Sequence, residues 1–472
     1  MHVSKCIRHV GLRTVKTFKQ AARIVVGMML ASFVLGCAPA IRDTSVTAQA
    51  ETGVAPQAAD WPHFGGPTSD CSSPEKGINK EWKIRPPKEL WRVALTDAVP
   101  GTGAFAGSCV VGGRLFISDH DHNAQQEIVR AIDVETGKDI WQYKYPTTLK
   151  PMTGCGFSTC VPLFDSNRVY VYDRASKLTC IDARNGSMIW SRDISMDYCS
   201  KKDANESFTS PVLAGDRVIV TIESLQAEAA KGVTMVAVDK DDGAARWTLS
   251  LPEVEPYNAS TPAVGMLKGK LRSLLNDKKG LVCIDPETGS VVWRLPLSGA
   301  NPVRIVSPII VGDNVFLSDS AANGSYMVSA EGVLLWRSDV KLPGGGALCA
   351  LTSPVHVDGY LYGNGHTYRG GGYGYEIPCF EAATGKEMWR HKMFEGGGMV
   401  AVDGAIIALH GDTGEIIMIK ADPMAYTELG RLPTPFKSHS VPTTFQCWCQ
   451  PAVANGKLFV RNEEELACFD LK

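Results

Sequence analysis

Apolar residues occur along most of this chain in short runs that Gly, Asn and Asp interrupt. Ser307-Pro308-Ile309-Ile310-Val311, for example, is followed by a Gly-Asp turn and then by Val315-Phe316-Leu317. Such runs predict β-strands joined by tight turns, because an amphipathic helix would space its apolar residues three and four apart. We expect no long amphipathic helix after the N-terminal leader.

The strand pattern repeats along the chain. Each copy contains four apolar runs, of which the third ends in an acid and the fourth ends in Trp. Asp133 and Trp141 in one copy have the same spacing as Asp285 and Trp293 in another, with a Gly between them. A four-stranded repeat of this length predicts the blades of a β-propeller. The residues that define the blades are Trp91, Asp133, Gly137, Trp141, Trp190, Trp247, Trp293, Trp336 and Trp389.

The number of blades follows from the two ends of the repeat. First strands begin near Ser108, Thr159, Thr209, Ser260, Val306, Thr352, Met399 and Gln450. The last copy stops before its Trp strand, whereas Glu89 to Leu95 is a Trp strand without a copy of its own. We therefore predict an all-β, eight-bladed β-propeller whose N-terminal strand closes the last blade, because closure removes unpaired sheet edges. Seven blades are the alternative, since Leu429 replaces the Trp of the seventh copy.

The repeat resembles the pyrroloquinoline-quinone-type β-propeller family, whose blades carry an Ala-x-Asp-x-x-Thr-Gly-x-x-x-Trp motif. The resemblance covers roughly residues 89 to 472. Ahead of it, Asp60-Trp61-Pro62-His63-Phe64-Gly65-Gly66-Pro67 is similar to a segment that precedes the propeller in exported bacterial members. The resemblance implies the fold but leaves the function open, because enzymes, scaffolds and sensors share this framework.

The N-terminal residues predict export. A basic stretch precedes an apolar run from Ile24 to Leu35, which is too short to span a bilayer as a helix. Val34-Leu35-Gly36-Cys37 is similar to the lipobox of bacterial lipoproteins, in which the Cys is acylated. Plain secretion and an uncleaved anchor are the alternatives. We expect a lipoprotein-type signal peptide (1–37), a flexible tether (38–59), a lead-in segment (60–88) and the β-propeller (89–472).

Composition restricts the class of partner and indicates the role of several cysteines. The 472-residue chain has a formal net charge of −2, which argues against nucleic acid as a partner. Four of its 14 cysteines stand where other copies of the repeat have Ala, so we expect them to be buried free thiols: Cys180, Cys283, Cys379 and Cys468. A disulfide between Cys155 and Cys160 is an open alternative. No spacing of Cys and His indicates a zinc site.

Propellers bind ligands at the central channel, on the face whose loops join the second strand of each blade to the third. In this chain those loops supply the candidate ligand or partner residues His120, Asp121, His122, Arg174, Asn276, Asp277, His366, Tyr368, Arg369, His410, Asp412 and Arg461. Asp119 to His122 alternates acids and imidazoles, which suits a divalent ion but also a solvated hairpin tip, and we assign no metal. Residues 363–377 are expected to form a long Gly-rich loop with an adaptable contact surface.

Three functions are open. We favour a non-catalytic scaffold for envelope proteins, a monomeric propeller within a complex that is held by a lipid anchor on Cys37 in the periplasm or at the cell surface. Resemblance to the lipoproteins that assist outer-membrane β-barrel assembly implies this role, and Ala38 favours the outer membrane. The second function is a quinoprotein oxidoreductase that binds pyrroloquinoline quinone and calcium, although such members usually carry adjacent cysteines, which this chain lacks. The third is a surface carbohydrate-binding module that uses residues such as Tyr368 and Trp448. We assign no cofactor and no catalytic residue.

Overall fold

The structure is a computed structural model. It describes residues 53–96, 105–147, 159–198, 207–222, 233–251, 260–277, 279–297, 306–319, 324–338, 352–369, 372–393, 396–411, 413–433, 435–436 and 448–472. In these residues the regular structure is almost entirely β-strand, and one short helix, α1 (Ile194–Tyr198), is present. No helix in this part of the chain is long and apolar enough to cross a membrane.

Eight antiparallel sheets form the blades, which confirms the predicted eight-bladed β-propeller. Two strands precede the first blade: β1 (Ser72–Ser73) and β2 (Glu89–Ala94). Blade 1 consists of β3 (Cys109–Val111), β4 (Arg114–Asp121), β5 (Gln126–Asp133) and β6 (Asp139–Pro146). Blade 2 consists of β7 (Leu163–Asp165), β8 (Arg168–Tyr172), β9 (Lys177–Asp182) and β10 (Met188–Asp193). Blade 3 consists of β11 (Val212–Ala214), β12 (Arg217–Thr221), β13 (Val233–Asp239) and β14 (Ala245–Ser250).

The next three blades repeat this order. Blade 4 consists of β15 (Ala263–Leu267), β16 (Lys270–Asp277), β17 (Gly280–Ile284) and β18 (Val291–Pro296). Blade 5 consists of β19 (Ile309–Val311), β20 (Asn314–Asp319), β21 (Gly324–Ser329) and β22 (Leu334–Ser338). Blade 6 contains an extra hairpin strand and consists of β23 (Val355–Val357), β24 (Tyr360–Tyr362), β25 (Gly365–Arg369), β26 (Gly372–Glu381) and β27 (Glu387–Met393).

The last two blades involve the N-terminal strands. Blade 7 consists of β28 (Gly396–Val402), β29 (Ala405–His410), β30 (Ile416–Lys420) and β31 (Glu428–Leu432), with β1 parallel to β28. Blade 8 consists of β32 (Ala452–Ala454), β33 (Lys457–Arg461) and β34 (Glu465–Asp470). Its outer strand is β2, which pairs antiparallel with β34 and places Trp91 opposite Cys468. The predicted closure by the N-terminal strand is therefore confirmed.

Trp residues join neighbouring blades. In seven blades the indole N–H of the outer-strand Trp donates to a backbone carbonyl of the following blade, at 2.8–3.2 Å. Six of these rings also lie against the Gly of the next blade's last turn, where a Cβ would approach the ring closer than 3.0 Å: Gly137, Gly186, Gly243, Gly289, Gly332 and Gly385. All six Gly residues have φ between +69° and +81°. The repeat needs Gly here both for the left-handed conformation and for the Trp contact.

The seventh blade corrects one detail of the sequence reading. Met418 faces Gly430 across β30 and β31, as Cys379 faces Trp389 in blade 6, so Gly430 rather than Leu429 stands at the Trp position. Trp82 of the lead-in segment passes beside Gly430, where a Cβ would lie 2.6 Å from that of Trp82. This indole is almost fully buried. A tryptophan distant in sequence therefore occupies the space that the repeat leaves open.

Cysteines in the third strands are packed as the repeat predicts. Cys180, Cys283, Cys379 and Cys468 are buried and free. Cys160 is also a buried free thiol, with its Sγ 3.7 Å from Ser118 Oγ. Cys155, the other partner of the predicted disulfide, lies outside the described residues.

The lead-in segment covers part of one face. We call the face that carries the turns between first and second strands the lower face, and the opposite one the upper face. Asp60 Oδ2 accepts a hydrogen bond from the N–H of Gly112 in blade 1 at 3.1 Å. Farther along, Glu75 Oε1 accepts one from Gly456 in blade 8 at 2.8 Å, and Gly77 donates to Asp403 in blade 7 at 3.0 Å. Blade 2 is reached just ahead of this segment, where Val54 N–H donates to Asn167 Oδ1 at 2.6 Å.

Candidate functional site

The central channel is lined mainly by the residues that lead into the first strand of each blade. Five successive blades, 2 to 6, contribute hydroxyl side chains to it: Thr159, Ser210, Thr261, Ser307 and Ser353. Some of these hydroxyls also join the blades, since Ser210 Oγ accepts a hydrogen bond from the N–H of Val161 at 2.9 Å. Thr261 Oγ1 accepts one from the N–H of Ser210 at 3.0 Å. This part of the channel wall therefore consists of small, neutral side chains, some of which form hydrogen bonds between neighbouring blades.

Larger side chains fill the rest of the channel. Phe64 of the lead-in segment enters the lining, and the neighbouring Gly65 N–H donates to Gln450 Oε1 of blade 8 at 3.1 Å. Phe105 and Trp448 pack edge to face, with ring centroids 5.1 Å apart. The space that remains is about 70 Å³. Because Trp448 packs on Phe105, its ring is less available for a sugar than the sequence suggested.

A buried polar cluster joins blades 1 and 2 beside the channel. We define the polar cluster as His120, Glu127, Tyr145 and Asp173, all of which are more than nine-tenths buried. His120 Nδ1 and Glu127 Oε1 are 3.0 Å apart, and the Tyr145 hydroxyl donates to Asp173 Oδ2 at 2.9 Å. The N–H of Lys177 donates to Asp173 Oδ1 at 2.8 Å. Tyr145 belongs to blade 1 and Asp173 to blade 2, so this hydrogen bond crosses the blade boundary.

Burial sets the protonation of the polar cluster. Loss of hydration raises the pKa of Asp173 to about 7, and the nearby charge of Glu127 acts in the same direction. Burial also raises the pKa of Tyr145 well above its usual value, so its hydroxyl stays protonated and continues to donate. A carboxyl that holds its proton up to neutral pH avoids placing a second negative charge beside Glu127.

The space beside the polar cluster is small. Thr159 lines both this space and the channel, so the two adjoin. The volume is about 10 Å³, which is close to the least that can hold one water molecule. Asp173 and Tyr145 therefore act as an inter-blade contact, because there is no room for a substrate between them.

Most of the upper-face candidates are not exposed loop residues, which corrects the sequence reading. His120 and Asp121 lie within β4 rather than in a loop, because this strand runs farther than its apolar pattern indicates. His122 and Asp121 are half-buried, and the Asp121 carboxylate accepts a hydrogen bond from Ala124 N–H at 2.9 Å. The others that are buried support the framework: Arg174, Asn276, Asp277, His410 and Arg461.

The hydrogen bonds of these buried residues show their structural roles. Asn276 Nδ2 donates to the Val306 carbonyl at 3.1 Å, and Arg461 Nη1 donates to the Ser118 carbonyl at 2.9 Å, from blade 8 to blade 1. The Asp277 carboxylate accepts from Arg294 Nη2 at 2.6 Å. In His410, Nδ1 accepts from Thr413 N–H at 3.3 Å. Asn276 and Arg461 therefore support contacts between blades, whereas Asp277 and His410 are held within their own blades.

The predicted Gly-rich loop is a hairpin. Strands β25 and β26 pair antiparallel within residues 363–377, with Thr367 opposite Gly374. His366, Tyr368 and Arg369 therefore lie on a strand, because aromatic and β-branched residues at alternate positions favour pairing over a loop. Asp412 and Cys37 lie outside the described residues.

The residues near the channel do not fit a metal or a quinone. Asp119, the first residue of the run of acids and imidazoles from Asp119 to His122, is buried and accepts hydrogen bonds from Thr96 N–H and from Arg130 Nη1. In the parts of the chain that the structure describes, no group of three His, Cys, Asp or Glu side chains is arranged to hold a metal ion. Pyrroloquinoline quinone is a tricarboxylate that needs cationic partners, and calcium prefers anionic oxygen ligands. Among the residues that the structure describes, the side chains lining the 70 Å³ space of the channel carry no charge.

Sequence reasoning missed two members of the polar cluster. Glu127 and Tyr145 occupy ordinary alternating positions in β5 and β6, so nothing in the strand pattern distinguishes them from other partly polar strand residues. Asp173 directly precedes Arg174, one of the candidate loop residues. Its position at the end of β8, opposite the end of β6 in the preceding blade, becomes informative only when the blades are packed together.

Comparison with known proteins identifies related chains. A family model described as outer membrane protein assembly factor BamB matches residues 124–362 and 303–422. Outer membrane protein assembly factor BamB of Yersinia pestis is 22% identical over 271 residues, which are 54% of this chain and 61% of that protein. The chain thus spans less than two thirds of the length of this relative.

Solved structures share the fold. The crystal structure of BamB from Moraxella catarrhalis has a TM-score of 0.57 at 15% identity and covers 81% of this chain and 99% of that one. Quinohemoprotein alcohol dehydrogenase from Comamonas testosteroni has a TM-score of 0.64 at 13% identity and covers 90% of this chain and 83% of that one. At these identities the likeness concerns the fold alone, since BamB and an alcohol dehydrogenase both match.

Proposed function

The chain belongs to the family described as outer membrane protein assembly factor BamB, and from this premise we propose that it is an envelope scaffold. In this role it is exported, does not catalyse a reaction, and holds other envelope proteins during the assembly of outer-membrane proteins. Its partners are proteins of the envelope. The propeller acts as one copy within a larger complex.

The make-up of the channel is the observation that carries this proposal. Within the described part of the chain, its lining consists of hydroxyl, amide, apolar and aromatic side chains, and Phe64 fills part of it. An oxidoreductase would need charged groups at this position to hold a quinone and an ion and to accept a proton. A lining that joins the blades to one another instead supports a rigid body that displays its surface.

We also propose that acylation of Cys37 anchors the protein. The lipobox-like Val34-Leu35-Gly36-Cys37 and the Ala38 that follows support an outer-membrane lipoprotein. One acyl chain gives marginal membrane binding, whereas several chains on one residue hold a protein firmly. Residues 38–59 then act as the tether and residues 60–88 as the lead-in segment.

A depletion experiment in the native host tests the scaffold role. Loss of the protein should lower the amount of folded, heat-modifiable outer-membrane β-barrels, and the wild-type gene should restore it. Unchanged β-barrel levels, together with no crosslinks to assembly proteins, would remove the support for this role.

A separate titration addresses the oxidoreductase. Purified protein is mixed with pyrroloquinoline quinone and calcium, and absorbance and thermal stability are followed. A ligand at one hundred times its dissociation constant should add about 2.7 kcal/mol of stability. Saturable binding with reduction of a dye by an alcohol would favour the enzyme instead.

A further inference from the structure

Outer strands of the blades differ at the position two residues before the Trp. In blade 7, where Gly430 stands at the Trp position, this is the position two residues before Gly430. In blades 1, 6, 7 and 8 this position holds an acid in an ion pair with Arg. The pairs and their distances are Asp139–Arg130 (2.9 Å), Glu387–Arg390 (2.8 Å), Glu428–Arg431 (2.6 Å) and Glu89–Arg92 (2.6 Å). In blade 3 the next residue, Arg246, pairs with Asp239. Charges at exposed outer strands keep these edges in water.

Blades 4 and 5 lack this charge. Val291 and Val292 occupy the two positions in blade 4 and are 42% and 45% exposed. Leu334 and Leu335 occupy them in blade 5 and are 41% and 50% exposed, and Val333 beside them is 59% exposed. Blade 2 also carries two apolar residues, but it stands between the charged strands of blades 1 and 3. Blades 4 and 5 are therefore neighbouring blades that both carry exposed apolar residues at these two positions.

The first hairpin of blade 4 adds to this surface. Met266 and Leu271 pair across β15 and β16, and both are exposed. Lys268 at the tip of the hairpin forms an ion pair with Glu331 of blade 5, two residues before Val333. This ion pair brings the hairpin of blade 4 next to the outer strand of blade 5. We call Met266, Leu271, Val291, Val292, Val333, Leu334 and Leu335 the lower apolar rim.

Position and charge indicate what covers the lower apolar rim. All of its residues lie near the turns of the lower face, which is also the face on which the described chain begins, with Val54 at Asn167. The lead-in segment covers the lower turns of blades 1, 7 and 8 but leaves those of blades 4 and 5 open. Lys270 is exposed at the hairpin tip, and Lys268 is exposed beside it in the ion pair with Glu331. Apolar side chains flanked by lysines suit the boundary between lipid head groups and acyl chains.

We propose that the lower apolar rim rests on the surface of a lipid bilayer. The acyl anchor on Cys37 holds the propeller near the bilayer, and contact through Met266, Leu334 and their neighbours fixes its orientation. The lower rim of blades 4 and 5 then faces the lipid, and the upper face points away from it. Exposed apolar side chains that cluster on neighbouring blades often serve as a binding surface. The inference rests on the proposed function in one respect, since the lipid anchor on Cys37 brings the propeller close to the bilayer. The contact with lipid depends on the lower apolar rim alone.

Photoactivatable lipid labelling tests this orientation. Full-length protein purified from membranes is reconstituted into phosphatidylethanolamine vesicles that contain a diazirine-bearing phospholipid. After illumination, labelled peptides are mapped by mass spectrometry. We expect label in residues 263–272 and 331–338 and none in α1, where Met196 is as exposed as Met266 but follows the end of an outer strand on the upper side.

Matched variants give the control. A double variant, Met266→Glu with Leu334→Glu, should lose most of the label at the rim, by roughly fivefold or more, because carboxylates resist transfer to the interface. Met196→Glu should leave the labelling unchanged. Equal thermal midpoints for the variants exclude unfolding as the cause.

Several results would overturn the inference. They are an unlabelled rim in a chain that carries the lipid on Cys37, equal labelling of α1, or unchanged labelling of the double variant. A photocrosslinker at residue 334 that captures an envelope protein in cells, while the rim stays unlabelled by lipid, would assign the surface to that protein. If mass spectrometry finds no lipid on Cys37, the anchor fails, and labelling of the unanchored chain by the same vesicles still decides the rim contact.

Discussion

The contact between Trp and Gly at the blade boundaries can be tested with two glycines that have the same backbone. Gly289 has φ +73° and meets the Trp247 ring, with a Cβ position 2.6 Å from the nearest ring carbon. Gly269 has φ +72° and nothing within 4 Å of its Cβ position. Replacement of either by Ala carries the same cost of about 1–2 kcal/mol for a left-handed conformation. Only Gly289→Ala also displaces an indole.

The expected magnitudes follow from this difference. Overpacking of a filled site costs about 1–3 kcal/mol, so Gly289→Ala should reduce the free energy of unfolding by about 2–5 kcal/mol. Gly269→Ala should reduce it by about 1–2 kcal/mol. Urea unfolding followed by circular dichroism measures both, provided that the slopes of the transitions agree.

A double-mutant cycle isolates the Trp contact. In a Trp247→Ala background the ring is absent, so Gly289→Ala should cost no more than Gly269→Ala. Equal midpoints for the two single Gly variants, or an undiminished cost of Gly289→Ala without the ring, would refute the idea that this contact fixes the blade boundary.

Three further changes have defined outcomes. Trp190→Ala removes a nine-tenths-buried ring that donates to the Lys240 carbonyl, and urea unfolding should show a loss of about 3–5 kcal/mol; a loss below about 1 kcal/mol would contradict the blade packing. Asp173 binds its proton more tightly folded than unfolded, so wild type should lose stability as pH rises from about 4 to about 7. Asp173→Asn should lack this loss. The free energy of unfolding of both proteins is measured between pH 4.5 and 8, and the same dependence on pH in the two would argue against a raised pKa of Asp173. Cys37→Ser should move the protein from the membrane to the soluble fraction on fractionation, and persistence in the membrane would indicate a helical anchor or tight partner binding.

Sequence alone predicted the framework because the repeat encodes each blade locally. Gly137 and Trp141 recur at fixed spacing, and each supplies a turn or a ring contact that most of the blades share. The orphan strand at Glu89–Ala94 also predicted the closure of the ring. Such features are readable because the same physical requirement is met many times in one chain.

The polar residues were less predictable because their surroundings come from different blades. His120 appeared to be a loop residue, yet its ring is buried against Glu127. Arg461 contacts the Ser118 carbonyl, more than 300 positions away in the sequence. Trp82 fills the space beside Gly430, a substitution that no repeat alignment would reveal. Contacts between distant segments have no periodic signal.

The lead-in segment covers some of the eight blades and not others, and this difference affects which surfaces of the propeller are available for binding. Residues 60–88 attach to the lower turns of blades 1, 7 and 8, and the outer strands of these three blades carry the paired acids Asp139, Glu428 and Glu89. The exposed apolar outer-strand residues of blades 4 and 5 lie on the other side of the ring. A fully symmetric propeller would have no preferred orientation on a membrane or a partner. In this propeller, one side is covered and charged and the other is open and apolar. This difference allows the protein to take one preferred orientation on a membrane or a partner.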